Sequence, residues 1–252
     1  MHQVARMTII LLAFVATLVS ATVAGAGPKY YLSDNPPLEP VKRGVVITVH
    51  GGGWEGNYGA AADTLMAQYV GAYQRWGYRV YNLGHRPRRL SLVDTIDAVE
   101  RVSRKHPRRP LCLFGGSSGG HLVLMAAIER PELVDCVIDQ AGTPDLINPD
   151  TAPGWQKIHD AAVKYWGRRG VRQVSPMQRA KELVAPVLVI APECDFGTSI
   201  ARQERFVRKL KRGRLLRQYA GPGYNTGHCE LTWESILAGV AAQHEFLDRH
   251  AG

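Results

Sequence analysis

The sequence predicts a single α/β domain with a mostly parallel β-sheet and helices on both of its faces. Three observations support this fold class. The chain has 252 residues, of which 45% are apolar and 21% charged, enough for one sizeable core. Short β-branched runs alternate with helical patterns along most of its length. Only one long apolar stretch occurs, at the N-terminus, which excludes a protein with several membrane spans.

Residues 1–26 are typical of a secretory signal peptide. Arg6 is the only charged residue before Lys29, an apolar run covers residues 9–19, and Ala24-Gly25-Ala26 offers a small-residue cleavage site. The alternative, an uncleaved membrane anchor, would need about 20 apolar residues to span a bilayer. We therefore expect a secreted or periplasmic protein without a stable membrane anchor after cleavage.

Residues 27–252 are predicted to form the single domain. Residues 27–43 are rich in Pro and Gly and predict an extended arm. The first strand after the arm is β-branched and bounded by glycines, as expected for a buried strand, and similar apolar runs recur. The predicted strands are residues 45–49, 79–83, 111–114, 134–138, 187–190 and 215–219.

The segments between these strands carry apolar residues at helical spacing, or small residues suited to close helix packing. The predicted helices are residues 65–76, 92–99, 118–129, 200–210 and 233–247. Residues 143–175 break the alternation, because they combine several prolines with bulky aromatic residues. We interpret them as an insertion that could cap a pocket.

The formal net charge of +9 favours anionic neighbours but does not specify a fold. Basic runs occur at residues 86–89, 101–109 and 202–217, and we interpret them as solvated faces. Because the sequence has no zinc-finger or RNP-type motif, we expect no nucleic-acid partner.

The strongest chemical signal is the run Gly115-Gly116-Ser117-Ser118-Gly119-Gly120 between a predicted strand and a predicted helix. A G-x-S-x-G turn in that place presents a serine nucleophile above the edge of the sheet. The pattern fits with Ser117 or with Ser118 as the nucleophile, and we prefer Ser117 because it directly follows the strand. A phosphate-binding P-loop would need Gly-Lys-Ser/Thr, which is absent.

The second signal is His50-Gly51-Gly52-Gly53-Trp54, directly after the first predicted strand. Glycines let several backbone N–H groups turn toward one point, as an oxyanion requires. We predict Gly52, Gly53 and Ser118 as the oxyanion-hole donors.

The third signal is the order of the remaining groups. Serine hydrolases with such a turn run Ser, then Asp or Glu, then His along the chain. Asp195 follows the strand at 187–190, with Glu193 as a rival acid, and His228 lies in the loop before the last helix. His228 is the predicted base, and Asp195 would orient it. The other histidines, including His85 and His121, are assigned structural roles.

These residues resemble the α/β-hydrolase esterases of the hormone-sensitive-lipase and feruloyl-esterase-like group over roughly residues 41–250. The resemblance implies the α/β-hydrolase fold and a serine carboxylesterase with Ser117, Asp195 and His228 as its triad. It also implies that no metal or cofactor takes part. The acid loop departs from the family pattern, since Pro192 stands where the family usually has glycine.

Cys194 adjoins the predicted acid and Cys229 the predicted histidine. Because a triad requires these two loops to touch, we hypothesise a Cys194–Cys229 disulfide, which would need an oxidising compartment. Cys112 and Cys136 lie on strands that could be neighbours, and we expect them to be reduced and buried.

The resulting hypothesis is a secreted carboxylesterase that acts on small-molecule or carbohydrate-linked esters through an acyl-enzyme. An amidase, formamidase or peptidase would use the same triad. A non-catalytic binding protein on a hydrolase scaffold is the third alternative.

Overall fold

The computed structural model describes residues 29–39, 42, 44–57 and 59–252. The predicted signal peptide, residues 1–26, lies outside the described residues. None of the helices within these ranges is both long and apolar enough to cross a membrane.

Within the described residues, seven strands form the main sheet, in the order β1-β3-β2-β4-β5-β6-β7, and β1 alone runs antiparallel to its neighbour. All six predicted strands are present, with bounds that differ by a few residues, so the prediction of a mostly parallel sheet is confirmed. The strands are β1 (Tyr31–Asn35), β2 (Val45–Val49), β3 (Arg79–Gly84), β4 (Leu111–Gly116), β5 (Cys136–Gln140), β6 (Val187–Pro192) and β7 (Gly213–Gln218).

The predicted N-terminal arm contains strand β1, which the sequence analysis missed. This edge strand is only partly buried, and its polar side chains pair with distant parts of the chain. Asp34 forms ion pairs with Arg79 at 2.6 Å and with Lys105 at 2.8 Å, while the Tyr31 hydroxyl donates to Asp63. Such partners do not show in a local apolar pattern, which is why the segment resembles a loop.

Helices cover both faces of the sheet, as predicted. The face covered by α1 (Ala60–Arg75) and α7 (Trp233–Ala251) has its own buried apolar cluster. A larger cluster on the other face includes side chains from α2 (Leu90–Lys105), α3 (Ser118–Glu129) and α6 (Ile200–Val207). The five residues of β2 are all buried because both faces of the strand are covered.

Residues 143–175 contain α4 (Trp155–Gln173), which is interrupted at Gly167, where φ is 74°. The short helix α5 (Pro176–Arg179) follows. Arg202 of α6 anchors the start of this segment, since it lies 3.3 Å from carboxylate oxygens of both Asp145 and Asp150. Its side chain is 1% exposed. The prediction of a solvated face at residues 202–217 is therefore wrong for Arg202, whose acidic partners lie some 50 residues earlier.

A small antiparallel hairpin of β8 (Gly223–Asn225) and β9 (Glu230–Thr232) precedes α7. Each strand has three residues, which is too short to give a readable alternation. The turn between them carries His228, so the hairpin presents the predicted base from a paired support rather than from a free loop.

Candidate active site

Ser117 lies in the turn between β4 and α3, with φ of 55° and ψ of −124°. L-residues rarely adopt this conformation, so the surrounding structure must hold it. The Ser117 amide donates to the carbonyl of Gln140 at 2.9 Å, which ties the turn to the neighbouring strand β5. A strained residue between a strand and a helix is what the predicted nucleophile elbow requires.

The glycines around the elbow distinguish the two possible registers. A Cβ atom on Gly115 would lie 2.2 Å from the carbonyl oxygen of Gly119. A Cβ atom on Gly119 would lie 2.2 Å from the last carbonyl oxygen of β2. A Cβ atom on Gly116 would meet nothing within 4 Å. Both glycines of the Ser117 register, Gly115 and Gly119, are therefore required by close approaches, whereas Gly116 of the Ser118 register is not, and Ser118 is the first residue of α3.

The predicted oxyanion loop follows β2 and has three consecutive residues with positive φ: 104° at Gly52, 65° at Gly53 and 65° at Trp54. No backbone carbonyl among the described residues accepts a hydrogen bond from the Gly52 or Gly53 amide. The Ser118 amide opens a helix and has no partner within it. Gly52 lines the cavity at Ser117, whereas Gly53 and Ser118 are not among the lining residues.

Trp54 anchors this loop in the protein interior. Its indole N–H donates to Nδ1 of His121 at 3.1 Å, and His121 Nε2 donates to the Val174 carbonyl at 2.6 Å. Burial lowers the pKa of His121 to about 4, so the ring is neutral and Nδ1 can accept. The Trp166 and Trp54 rings also meet at nearly a right angle, with centroids 5.2 Å apart. The segment 143–175 thus braces the oxyanion loop.

His50, at the start of the loop, stacks on His85 with ring centroids 4.3 Å apart. Both rings are buried, and burial lowers the pKa of each, that of His85 to about 4. A neutral His50 donates from Nδ1 to the Gly51 carbonyl at 2.6 Å. The pair therefore has a structural role beneath the loop.

The predicted acid and base are in contact. Nδ1 of His228 lies 2.9 Å from Oδ2 of Asp195, and the other carboxylate oxygen accepts from two backbone amides at 2.6 and 3.0 Å. These bonds compensate for the burial of Asp195, whose side chain is 2% exposed. Because Nδ1 faces Asp195, Nε2 is the ring nitrogen left without that partner, and Ser117 and His228 line the same cavity.

Glu193, the rival acid, is exposed and lies 4.0 Å from the guanidinium of Arg217. In the described part of the chain, the imidazole of His228 pairs with Asp195 and not with Glu193. The geometry therefore favours Asp195 as the orienting acid.

Cys194 and Cys229 are joined by a disulfide, with Cα atoms 5.7 Å apart. This bond connects the loop after β6 to the β8–β9 turn, directly beside the predicted acid Asp195 and the predicted base His228. Cys112 and Cys136 are also joined, so the expectation that they are reduced is wrong. They lie directly opposite each other on β4 and β5, a register that the sequence does not show.

A cavity of about 490 Å³ opens at Ser117 and His228. Its walls come from the predicted oxyanion loop and the turn at Ser117, from the carboxyl ends of β5, β6 and β7, from the β8–β9 turn, and from α1 and α7. No residue of the segment 143–175 lines it, since that segment packs behind the oxyanion loop.

Asp139 is a buried titratable group near the site that the sequence analysis missed. It is 0% exposed and lies opposite Gly115 in the sheet register. Burial raises its pKa to about 7, and the nearby Asp195 charge acts in the same direction. Its Oδ1 is so closely enclosed that a Cβ atom on Gly120 or Gly142 would come within 2.1 or 2.0 Å. A carboxyl group inside a β-branched run was the available sequence signal.

Comparison with known proteins places this geometry in a family context. A model of the prolyl oligopeptidase family matches residues 91–252. The chain is 26% identical over 202 residues to dipeptidyl peptidase family member 6 of Caenorhabditis elegans, a match that covers 70% of this chain and 27% of that protein. The chain thus spans about a quarter of the length of this relative.

Solved structures of lipases and esterases share the fold. The monoacylglycerol lipase of Paleococcus ferrophilus is 18% identical with a TM-score of 0.62, covering 89% of this chain and 100% of that one. Esterase 2 of Thermogutta terrifontis, phosphonylated by sarin, is 16% identical with a TM-score of 0.66. This match covers 86% of the present chain and 88% of the esterase. The bifunctional GH43-CE protein of Bacteroides eggerthii is 17% identical with a TM-score of 0.68. This match covers 88% of the present chain and 36% of that protein. These matches confirm the predicted α/β-hydrolase fold.

Proposed function

Because the chain belongs to the prolyl oligopeptidase family and is a serine hydrolase on the α/β-hydrolase fold, we propose that it is a carboxylesterase acting through an acyl-enzyme. One observation carries this proposal. A serine in a strained turn and a histidine hydrogen-bonded to a buried carboxylate line the same cavity, beside a glycine loop with positive φ angles.

In the proposed reaction, the Ser117 Oγ atom attacks the ester carbonyl carbon while Nε2 of His228 takes the hydroxyl proton. The negative oxygen of the tetrahedral intermediate accepts hydrogen bonds from the amides of Gly52, Gly53 and Ser118. His228 returns its proton to the departing alcohol. Water, deprotonated by the same imidazole, then releases the carboxylic acid and restores the serine.

The proposed substrates are small or carbohydrate-linked esters. Two solved relatives in fold are named for ester chemistry, one as a monoacylglycerol lipase and one as a carbohydrate esterase from gut microbiota. Their low identity supports the fold alone, and the support for an uncharged substrate comes from the cavity. Its described lining residues include no Asp, Glu, Lys or Arg, which favours an uncharged substrate.

Peptide-bond hydrolysis is the second candidate, since the family model and the Caenorhabditis elegans relative are both named for peptidases. The same triad could perform it. No carboxylate in the described cavity lining could pair with the amino terminus of a peptide, and this favours the ester.

The proposal is tested by comparing p-nitrophenyl acetate with a peptidyl p-nitroanilide. We expect the ester to be turned over faster, and the Ser117→Ala variant to lose at least about a thousandfold in kcat. Ser118→Ala keeps its backbone amide and should retain measurable turnover. Faster anilide cleavage would instead support the peptidase.

A fluorophosphonate provides an independent test, because it reacts only with an activated serine. Peptide mapping should place the adduct on Ser117. An adduct on Ser118 would assign the other register. A folded protein with no adduct and no turnover would point to a binding protein on a hydrolase scaffold.

Export to an oxidising compartment is part of the proposal. The two disulfides of the described structure support it, because such bonds persist mainly outside the cytosol. N-terminal sequencing of the protein from its native host should find a mature chain that begins near residue 27. Finding residues 1–26 on the mature chain would contradict this part.

A further inference from the structure

The cavity extends well beyond the reacting groups, between the helices α1 and α7. We call this extension the α1–α7 groove. Its apolar lining comes chiefly from Leu65, Met66 and Ala72 on α1 and from Ile236, Gly239 and Val240 on α7. Tyr69 and Trp76 add aromatic surface. The groove is therefore continuous with the space at Ser117 and His228, which line the same cavity.

Two glutamines of this wall are hydrogen-bonded within the protein. Gln243 accepts from the Tyr73 hydroxyl at 2.6 Å and donates to Gln140 at 3.2 Å. Gln218 donates to the Ser235 carbonyl at 3.0 Å, which leaves its Oε1 as an acceptor without a partner among the described residues. An apolar wall with few open polar groups is typical of sites for small hydrophobic ligands.

Two small residues keep the groove open. A Cβ atom on Gly239 would come 2.8 Å from Nε2 of Gln218, so a side chain there would displace the wall. Ala72 contributes only a methyl group on the opposite helix. The volume of about 490 Å³ falls in the range of cavities that enclose drug-sized ligands, so an acetyl group would leave most of it unfilled.

The groove is accessible from solvent at an apolar rim. Leu65 is 51% exposed and Val240 42% exposed, although both line the cavity. Leu237, one turn from Trp233 on α7, continues the apolar surface with 65% exposure. Exposed apolar side chains beside a cavity often mark the entrance of a hydrophobic ligand.

We propose that the α1–α7 groove binds a hydrocarbon group of the substrate ester, either an unbranched chain or an aromatic group. The enzyme therefore prefers esters of medium chain length over acetates. This inference rests on the proposed esterase function and specifies its substrate class. The carbonyl group reacts at Ser117 while the chain lies between α1 and α7, where its burial stabilises the transition state. No charged group is needed for recognition.

The bound hydrocarbon chain could belong to the acyl part or to the alcohol part of the ester. Two series of substrates distinguish these two possibilities. The acyl series runs from p-nitrophenyl acetate to the octanoate. The alcohol series runs from methyl to octyl butyrate. In the series whose chain enters the groove, kcat/KM should rise about fourfold for each methylene until the groove is full, as expected for burial of a methylene.

The variant Ala72→Leu tests where the chain lies. The larger side chain fills part of the groove, so the ratio of the longest to the shortest substrate should fall by about tenfold. Ala67→Leu is the matched control, because Ala67 is exposed on the same helix and does not line the cavity. The control should keep the wild-type ratio. Because both substrates are measured with the same enzyme sample, the ratio does not depend on how much of each variant is folded.

Each outcome bears on a different claim. A rise with chain length in either series, reduced by Ala72→Leu and not by Ala67→Leu, supports the inference and assigns the chain to its part of the ester. Flat kcat/KM in both series, or equal ratios in the two variants, overturns it while Ser117-dependent ester hydrolysis stands. Absence of hydrolysis for every ester refutes the proposed function instead.

Discussion

Replacing Asp139 by asparagine tests how the protein holds a carboxyl group inside its sheet. The side chain is 0% exposed and lies within the field of the Asp195 carboxylate. Asparagine has almost the same shape but cannot ionise. The variant therefore removes a proton equilibrium while preserving most of the packing around the elbow.

The size of the effect follows from the two states of the carboxyl group. The pKa of Asp139 rises from an ordinary 3.8 to about 7 in the folded protein. The folded state therefore binds this proton more tightly than the unfolded state does. The stabilisation that the protonated carboxyl group contributes is complete below pH 3.8 and is lost as the pH rises to about 7. At about 1.4 kcal/mol per pH unit, the loss amounts to about 4 kcal/mol.

Other buried groups titrate in the same pH range but change the free energy of unfolding in the opposite direction. The pKa values of His85 and His121 are lowered from 6.5 to about 4, so their contribution to stability grows as the pH rises between those values. The pH profile of the wild type alone would therefore mix these effects. The difference between wild type and variant isolates Asp139, because the histidines are present in both.

The assay is urea unfolding at intervals from pH 4 to pH 8, with the disulfides intact, followed by fluorescence and circular dichroism. Relative to wild type, Asp139→Asn should gain about 4 kcal/mol in free energy of unfolding across this range. Asp160→Asn, at an exposed position, is the control and should run parallel to wild type. Parallel curves for Asp139→Asn and wild type would refute the reasoning, because they would mean that Asp139 titrates alike in both states.

Three further predictions concern the supports of the site. Gly119→Ala should lower the free energy of unfolding by at least about 2 kcal/mol in urea titrations, because its Cβ would lie 2.2 Å from the Val49 carbonyl oxygen. Replacing Cys194 and Cys229 together by alanine should lower kcat more than it raises KM in ester assays, because the triad loops lose their link. Trp54→Phe, which loses an indole donor to a buried ring, should lower kcat about tenfold or more while the fluorophosphonate adduct still forms.

The local geometry of the site was predictable because the backbone itself demands particular residues there. The elbow needs glycine at 115 and 119, where any Cβ atom would overlap the backbone. The oxyanion loop needs positive φ at Gly52 and Gly53. Such requirements determine which residue types stand at these positions, so both turns could be recognised from the sequence alone.

Contacts between distant segments were only partly predictable. The closeness of Cys194 and Cys229 followed from the assumption that their neighbours form a triad. The disulfide between Cys112 and Cys136 depends on the register of β4 against β5, which apolar strands do not specify locally. The burial of Arg202 likewise depends on carboxylates that approach from an earlier segment.

By itself, the sequence determined the alternation of buried strands and helices and the places where the chain must turn sharply, because both follow from local sterics and apolar spacing. Tertiary structure decided which carboxylate reaches His228, how far Asp139 is removed from water, and that α1 and α7 rather than residues 143–175 line the cavity. These features depend on how separate elements pack in three dimensions, and packing distances between elements are not a property of any single segment.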